Sequence, residues 1–372
     1  MKFLCTLENL LNGLNTVSAI AGKQNNLPIL TNVLIQVVDN KVELITTNLE
    51  LAIRFSLRAK VEETGSFTVP AKTLFDYVHL LSDEQVEIGL EENELKIKCG
   101  NSSTKIKGMP AEDFPVLPEI EDVFAYSMLV EPLKESLSKV VIAASKNEIR
   151  PELSGVYFGF FTERYSGLTL AATDSYRLSE KKMSVAQGDK TKICVVPARA
   201  VYEIIRLLGL PKEGGESNVR LSLSDTQLSL RYDNFELTSR LIDGTYPDYA
   251  QIIPKEFKTK AEFPIDVMIK KIKAASLFTT TGVNAVSFDF NVSEKNIGVS
   301  SVSSQKGEHT SSVEAILSGD ENSILLNHRY VLDGLQNIEG EGEFSMNSGD
   351  SPCLLKQKGK EDYLYIIMPI RQ

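Results

Sequence analysis

VPAKTLFDYVHLL at 69–81, VPARAVYEIIRLL at 196–208 and LNHRYVLDGLQNI at 326–338 are three versions of one segment. In register, Lys72, Arg199 and Arg329 coincide, as do the acids Asp76, Glu203 and Asp333. Apolar residues match at Leu74, Val201 and Val331, and again at Leu81, Leu208 and Ile338. The copies lie 127 and 130 residues apart. Proline opening the first two predicts a helix start, because its missing N–H would be an orphan there anyway. A fixed long period means that one structural unit is built three times.

Upstream of each copy lies a second helical pattern. Its apolar residues are Leu10, Leu14 and Val17, then Leu133, Leu137 and Val140, then Met268, Ile272 and Ala275. The i, i+4, i+7 spacing puts each triple on one helix face. Around the helices run short alternating stretches such as VELIT from Val42, LTLAAT from Leu168, VRLSLS from Val219 and YLYIIM from Tyr363. Alternation bounded by Gly, Asn and Asp predicts antiparallel strands and hairpins. Two copies close on acidic, proline-bearing segments, AEDFPVLP at 111–118 and DGTYPDYAQIIP at 243–254, which suit extended linkers. The reading is an α+β chain of three similar domains, 1–120, 121–253 and 254–372, each with two helices on antiparallel sheets.

Length agrees, since 372 residues exceed one ordinary domain. Cys5, Cys99, Cys194 and Cys353 are scattered, forming neither a disulfide framework nor a zinc ladder. A reducing, cytoplasmic setting is expected. No run of apolar residues is long enough for a membrane span, and MKFLCTLENLLNGL lacks the look of a secretion leader.

No catalytic constellation stands out. The histidines are His79, His309 and His328 only, and no HExxH, GxSxG, GxxxxGK[ST] or CxxC occurs. The expectation is no catalytic residue, no metal and no cofactor. Net charge is −10, which by itself argues against a nucleic-acid partner. Its distribution argues the other way. The six helical segments hold 11 basic and 6 acidic residues, so they are +5 while the rest of the chain is −15. A positive helical surface on an acidic chain would attract phosphates without reading bases.

At this point the chain resembles a known family, the beta subunit of bacterial DNA polymerase III, the sliding clamp. LPILTNVLIQV (27–37), FTVPAKTLFD (67–76), AEDFP (111–115), ATDSYRL (172–178), SRLIDGTYPDY (239–249) and MPIR (368–371), after an opening MKF, fall in the family's order and spacing. The resemblance implies "DNA clamp" domains, two chains joined head to tail in a ring around duplex DNA, and no chemistry. It implies as partners the polymerase III alpha subunit, the clamp loader, other DNA polymerases and repair proteins, held through short linear motifs.

The resemblance also implies three sites. The partner-peptide pocket would comprise Leu153, Thr173, Ser175, Tyr176, Arg177, Leu178, Pro247, Ile252, Ile366 and Met368, an apolar socket in which Thr173 and Arg177 orient the peptide backbone. Ser175 stands where the family often has Gly. DNA would be met by Lys23, Gln24, Lys72, Lys146, Arg199 and Arg206, Gln24 replacing a frequent Arg. The homodimer edge would be Lys105, Ile106 and Lys107, with Leu277 and Phe278 as its apolar centre. A nucleic-acid hydrolase and a DNA-free scaffold are the rival readings; the first needs a metal or nucleophile cluster, the second predicts no retention on circular DNA.

Overall fold

The computed structural model describes residues 1–22, 27–117, 120, 123–147, 149–211, 217–280 and 282–371. Among the described residues, six α-helices lie where the two recurring patterns put them: α1 Leu7–Val17, α2 Ala71–Val78, α3 Val130–Val141, α4 Ala198–Leu208, α5 Ile265–Ser276 and α6 His328–Leu335. The predicted stripes face inward, with Leu10, Leu14, Val17, Leu133, Leu137, Val140, Met268, Ile272 and Ala275 all buried. Pro70 sits one residue earlier than expected, as the cap of α2 rather than its first turn. Thr6 caps α1 by accepting a bond from Asn9 N, and Asn327 caps α6 by accepting one from Arg329 N.

The far ends of α1, α3 and α5 share one device. Hydroxyls from neighbouring strands donate to carbonyls of the last turns: Thr46 to Val17, Ser179 to Lys139 and Ser301 to Ala275, at 2.6, 2.9 and 2.7 Å. Such carbonyls have no partner inside the helix, so an external donor stabilises the end. Helix α1 also lies very close to its sheet. A Cβ on Gly13 would approach Leu44 to 2.8 Å and the Phe55 ring to 2.9 Å, so a larger residue there must displace them.

The chain forms two compact units. The first contains Met1–Lys134, Val185–Lys190 and Tyr202–Leu241. Its five-stranded sheet runs in the order Lys60–Glu63, Lys2–Thr6, Gln85–Glu91, Glu94–Cys99, Ser102–Lys107. Its eight-stranded sheet begins with four strands of the middle repeat, Phe124–Leu129, Asn218–Leu223, Gln227–Tyr232 and Phe235–Arg240. It continues with Leu51–Leu57, Lys41–Thr47, Asn32–Val38 and Gly65–Pro70 of the first. The seam is Phe235–Arg240 on Leu51–Leu57, with Leu237 opposite Ile53 and both fully buried.

The second unit contains Glu135–Ser184, Thr191–Val201 and Ile242–Gln372. Its nine-stranded sheet starts with Lys192–Pro197, Gly155–Thr162, Tyr165–Thr173 and Arg177–Met183 of the middle repeat. It continues with Tyr363–Ile367, Cys353–Gln357, Glu341–Met346, Thr259–Pro264 and Ile316–Gly319 of the third. A four-stranded sheet runs Gly307–Glu314, Asn296–Ser303, Ala285–Asn291, Asn322–Asn327. The middle repeat thus gives four strands to each large sheet, which is why the contacts divide the chain in two although its sequence pattern is threefold. All strand pairing is antiparallel, and each sheet buries one face under helices.

Cys5, Cys99, Cys194 and Cys353 are free and buried. Burial pushes the Cys5 and Cys194 thiols up to about 12, so neither is a ready nucleophile. No described helix is long and apolar enough to cross a membrane.

Candidate functional site

The second unit gathers most of the expected pocket. Leu153, Leu178 and Ile366 belong to one apolar cluster with Ala171, Val195, Tyr246, Tyr249 and Leu354. Leu178 and Ile366 face each other across neighbouring strands. Both are fully buried, so neither presents an open wall of its own. A cross-strand pair in mid-sheet packs against its neighbours. Pro247 and Ile252 flank Tyr246 and Tyr249, which dip into the same cluster. Ile252 and Tyr176 stay exposed, and Met368 is half-buried. The Met368 N–H donates to Tyr176 O at 2.8 Å, which fixes the C-terminal segment beside the turn at 174–176.

That turn is tightly specified. Asp174 Oδ1 accepts from the N–H groups of Tyr176 and Arg177, each at 3.0 Å. Thr173 Oγ1 donates to Arg177 O at 2.6 Å and accepts from Ser175 N at 3.1 Å. Ser175 has φ +76°, the left-handed region where glycine has no steric cost. The frequent family glycine is explained by this angle. Ser175→Val should destabilise by about 1–2 kcal/mol, because a branched Cβ is strained there, whereas Ser175→Gly should stay within about 0.5 kcal/mol. Urea midpoints of the two variants check this.

Arg177, expected to orient a peptide backbone, is already engaged within the chain. Its guanidinium is buried, bonds Asp174 Oδ2 at 3.0 Å, pairs with Asp333 on α6 and lies 4.5 Å from the centre of the Tyr330 ring. Burial alone would lower its pKa; Tyr365 and the two carboxylates outweigh that and hold it above the usual value. Beside it opens a cleft of about 630 Å³. Leu153, Ser175, Tyr176 and Arg177, all named for the partner pocket, line it, joined by Asn147, Arg150, Asn327, Arg329, Tyr330 and Asp333, which the sequence reading did not select. The repeat register held the available signal, since Arg329 and Asp333 sit at its shared basic and acidic positions. Lys146, expected at DNA, also lines this cleft and is exposed.

Of the other expected DNA residues, Lys72 on α2 and Arg199 on α4 are exposed, and Lys23 and Gln24 lie outside the described residues. Arg206 departs from expectation. It donates to Asn15 O at 3.0 Å and Thr16 O at 2.7 Å, and it pairs with the buried Glu203 at 2.6 Å. The side chain staples the end of α1 to α4. Arg206→Ala should lower stability by about 2 kcal/mol, since it strips two carbonyls and a buried carboxylate of a charged donor. The salt dependence of DNA binding should not change; a smaller salt slope would return Arg206 to the DNA-contact set. Lys270 and Lys273 on α5 are exposed cations that the site prediction passed over, although they entered the helix charge count.

The segment expected at the subunit edge lies on an edge strand. Ser102–Lys107 ends the five-stranded sheet, with Ile106 turned into the core and Lys105 and Lys107 outward. Hydrogen bonds from Lys105 and Lys96 pull the exposed Glu91 carboxyl down to about 2, so Lys105 already has an anionic neighbour. Gly307–Glu314 ends the four-stranded sheet. Above it Phe278 stacks on His309 at 5.8 Å and 11°, while Leu277 is 67% and Val302 72% exposed.

Three successive stretches match the DNA polymerase III beta subunit: its N-terminal domain over 1–118, its central domain over 128–248 and its C-terminal domain over 250–371. The chain belongs to the DNA polymerase III beta subunit family. The beta sliding clamp of Synechocystis sp. is 28% identical over 395 residues, covering 100% of this chain and 99% of that one. The solved sliding clamp of Bacillus subtilis superposes with a TM-score of 0.94 at 27% identity, over 100% of this chain and 99% of that one. A sliding clamp from Bartonella birtlesii, solved bound to griselimycin, gives 0.92 at 26% identity and covers both chains fully. The fold is therefore the clamp fold in three domains, and the function is that of a DNA sliding clamp that tethers partner proteins.

Proposed function

We propose that two copies close head to tail into a ring around duplex DNA and slide on it without reading bases. One observation carries the proposal: of the sheets' edge strands, Ser102–Lys107 carries outward lysines and Gly307–Glu314 lies beside the exposed apolar Leu277 and Val302. An open edge exposes unpaired backbone groups that a second chain would satisfy. Sedimentation velocity should show a two-chain particle; a single chain at micromolar concentration would contradict the ring. Domain boundaries fall near 120 and 254.

Lys72, Lys146 and Arg199, with Lys270 and Lys273 added, meet the phosphates. Lys23 and Gln24 keep their proposed place on the resemblance alone. Each cation that neutralises a phosphate steepens the salt dependence of binding by roughly one unit in a log–log plot. The apolar cluster under Pro247, Ile252 and Met368, continued by the polar cleft, receives short linear motifs of the polymerase III alpha subunit, the clamp loader, other polymerases and repair proteins. The Bartonella birtlesii clamp bound to griselimycin supports a ligand-binding pocket on this fold. The chain performs no chemistry of its own and works in the cytoplasm.

A further inference from the structure

Residues 243–253 carry Pro247 and Ile252, yet their backbone is weakly tied. Among the described residues, the backbone hydrogen bonds of this stretch are internal: Tyr249 N to Pro247 O, and Ile253 N to Ala250 O. Two other attachments hold it. From below, Tyr246 and Tyr249 are buried against Tyr157, with ring centres 5.5 and 5.9 Å from it. From the side, Arg164 pairs with Asp248 and lies 5.4 Å from the centre of the Tyr249 ring. Gln251 Nε2 donates to the other Asp248 oxygen at 3.1 Å.

Arg164 occupies the turn between the strands Gly155–Thr162 and Tyr165–Thr173. The pairing is irregular there, and Phe161 takes φ +46°. A bulge of this kind re-aims the residues that follow it. Arg164 is not among the pocket residues that the resemblance implies.

We propose that Arg164 is a positioning residue of the partner pocket: by holding Asp248 it fixes the wall that carries Pro247 and Ile252, and so sets how tightly an apolar peptide is held. This rests on the pocket reading above. An exposed ion pair alone contributes little. Here the guanidinium also stacks on a buried ring, and Gln251 shares the carboxylate, so the pair defines a geometry. Holding a wall in place chiefly slows dissociation of whatever it contacts.

The test uses the full chain and a capped, uncharged peptide carrying Leu and Phe, read by fluorescence anisotropy. Arg164→Ala should bind it about fivefold more weakly, with an unchanged unfolding midpoint. The double reversal Arg164→Asp with Asp248→Arg should recover most of the loss. Rising salt should weaken wild-type binding toward the level of R164A and leave R164A flat, although the peptide has no charge. A merely structural role would not produce that salt signature. Equal binding by wild type and R164A overturns the proposal and leaves the pocket standing. Failure of the double reversal to recover any affinity overturns it too. A wild-type chain that binds no such peptide overturns the pocket itself, and this proposal with it.

Discussion

A Leu277→Asp chain is expected to sediment as a monomer where the unaltered chain forms a dimer. Leu277 follows α5 directly and is 67% exposed, which is unusual for a large apolar side chain beside the half-buried Phe278. Burying Leu277 against a second copy would contribute about 2 kcal/mol. An aspartate there would lose that and also be desolvated without a partner, so the combined cost is several kcal/mol per contact. In a two-chain ring the same contact occurs twice, and at about 1.4 kcal/mol per tenfold the dissociation constant should rise well over a hundredfold. Ile316→Asp is the matched control, being 68% exposed on the edge of a different sheet. It should leave the dimer intact. An unchanged dimer for Leu277→Asp would remove this surface from the interface.

Arg177→Ala should have the largest effect on stability. The guanidinium joins the 174–176 turn to α6 through Asp174 and Asp333 and packs on Tyr330. Removing it strands Asp174, whose side chain is only 15% exposed, and frees the more exposed Asp333. Breaking one partner out of a buried pair costs about 3 kcal/mol or more. Lysine cannot reproduce the planar fork or the stacking, so Arg177→Lys should recover less than half of the loss. Both variants should lose peptide affinity, since the cleft is built on this side chain. Chemical unfolding with peptide titration checks both, and stability within about 0.5 kcal/mol of wild type would mean the network is dispensable.

The helices and the threefold plan were legible because periodicity reports which face of a segment is buried. Leu10, Leu133 and Met268 needed no knowledge of what lies opposite. Ser175 came from the resemblance and not from periodicity: it stands where the family often has Gly, and it takes a left-handed backbone angle. The sequence reading failed where the partner is distant in sequence. Nothing near Arg206 points to the carbonyls of Asn15 and Thr16, and nothing near Arg177 points to Asp333. Arg206, expected at DNA, and Arg177, expected to orient a peptide, each tie distant parts of the chain together. Leu178 and Ile366, expected as pocket walls, are fully buried, because alternation along a strand does not tell a pocket lining from the core beneath it. The sharing of the middle repeat between two large sheets was also hidden, since a linear repeat says nothing about which edges join.

The most direct test of the ring is retention on nicked circular DNA after loading by a bacterial clamp loader, measured before and after the circle is cut open. Encirclement predicts retention on the circle and loss on linearisation, since a topological link needs no strong contact to persist. Equal retention on circular and linear DNA would show ordinary surface binding and would contradict the ring.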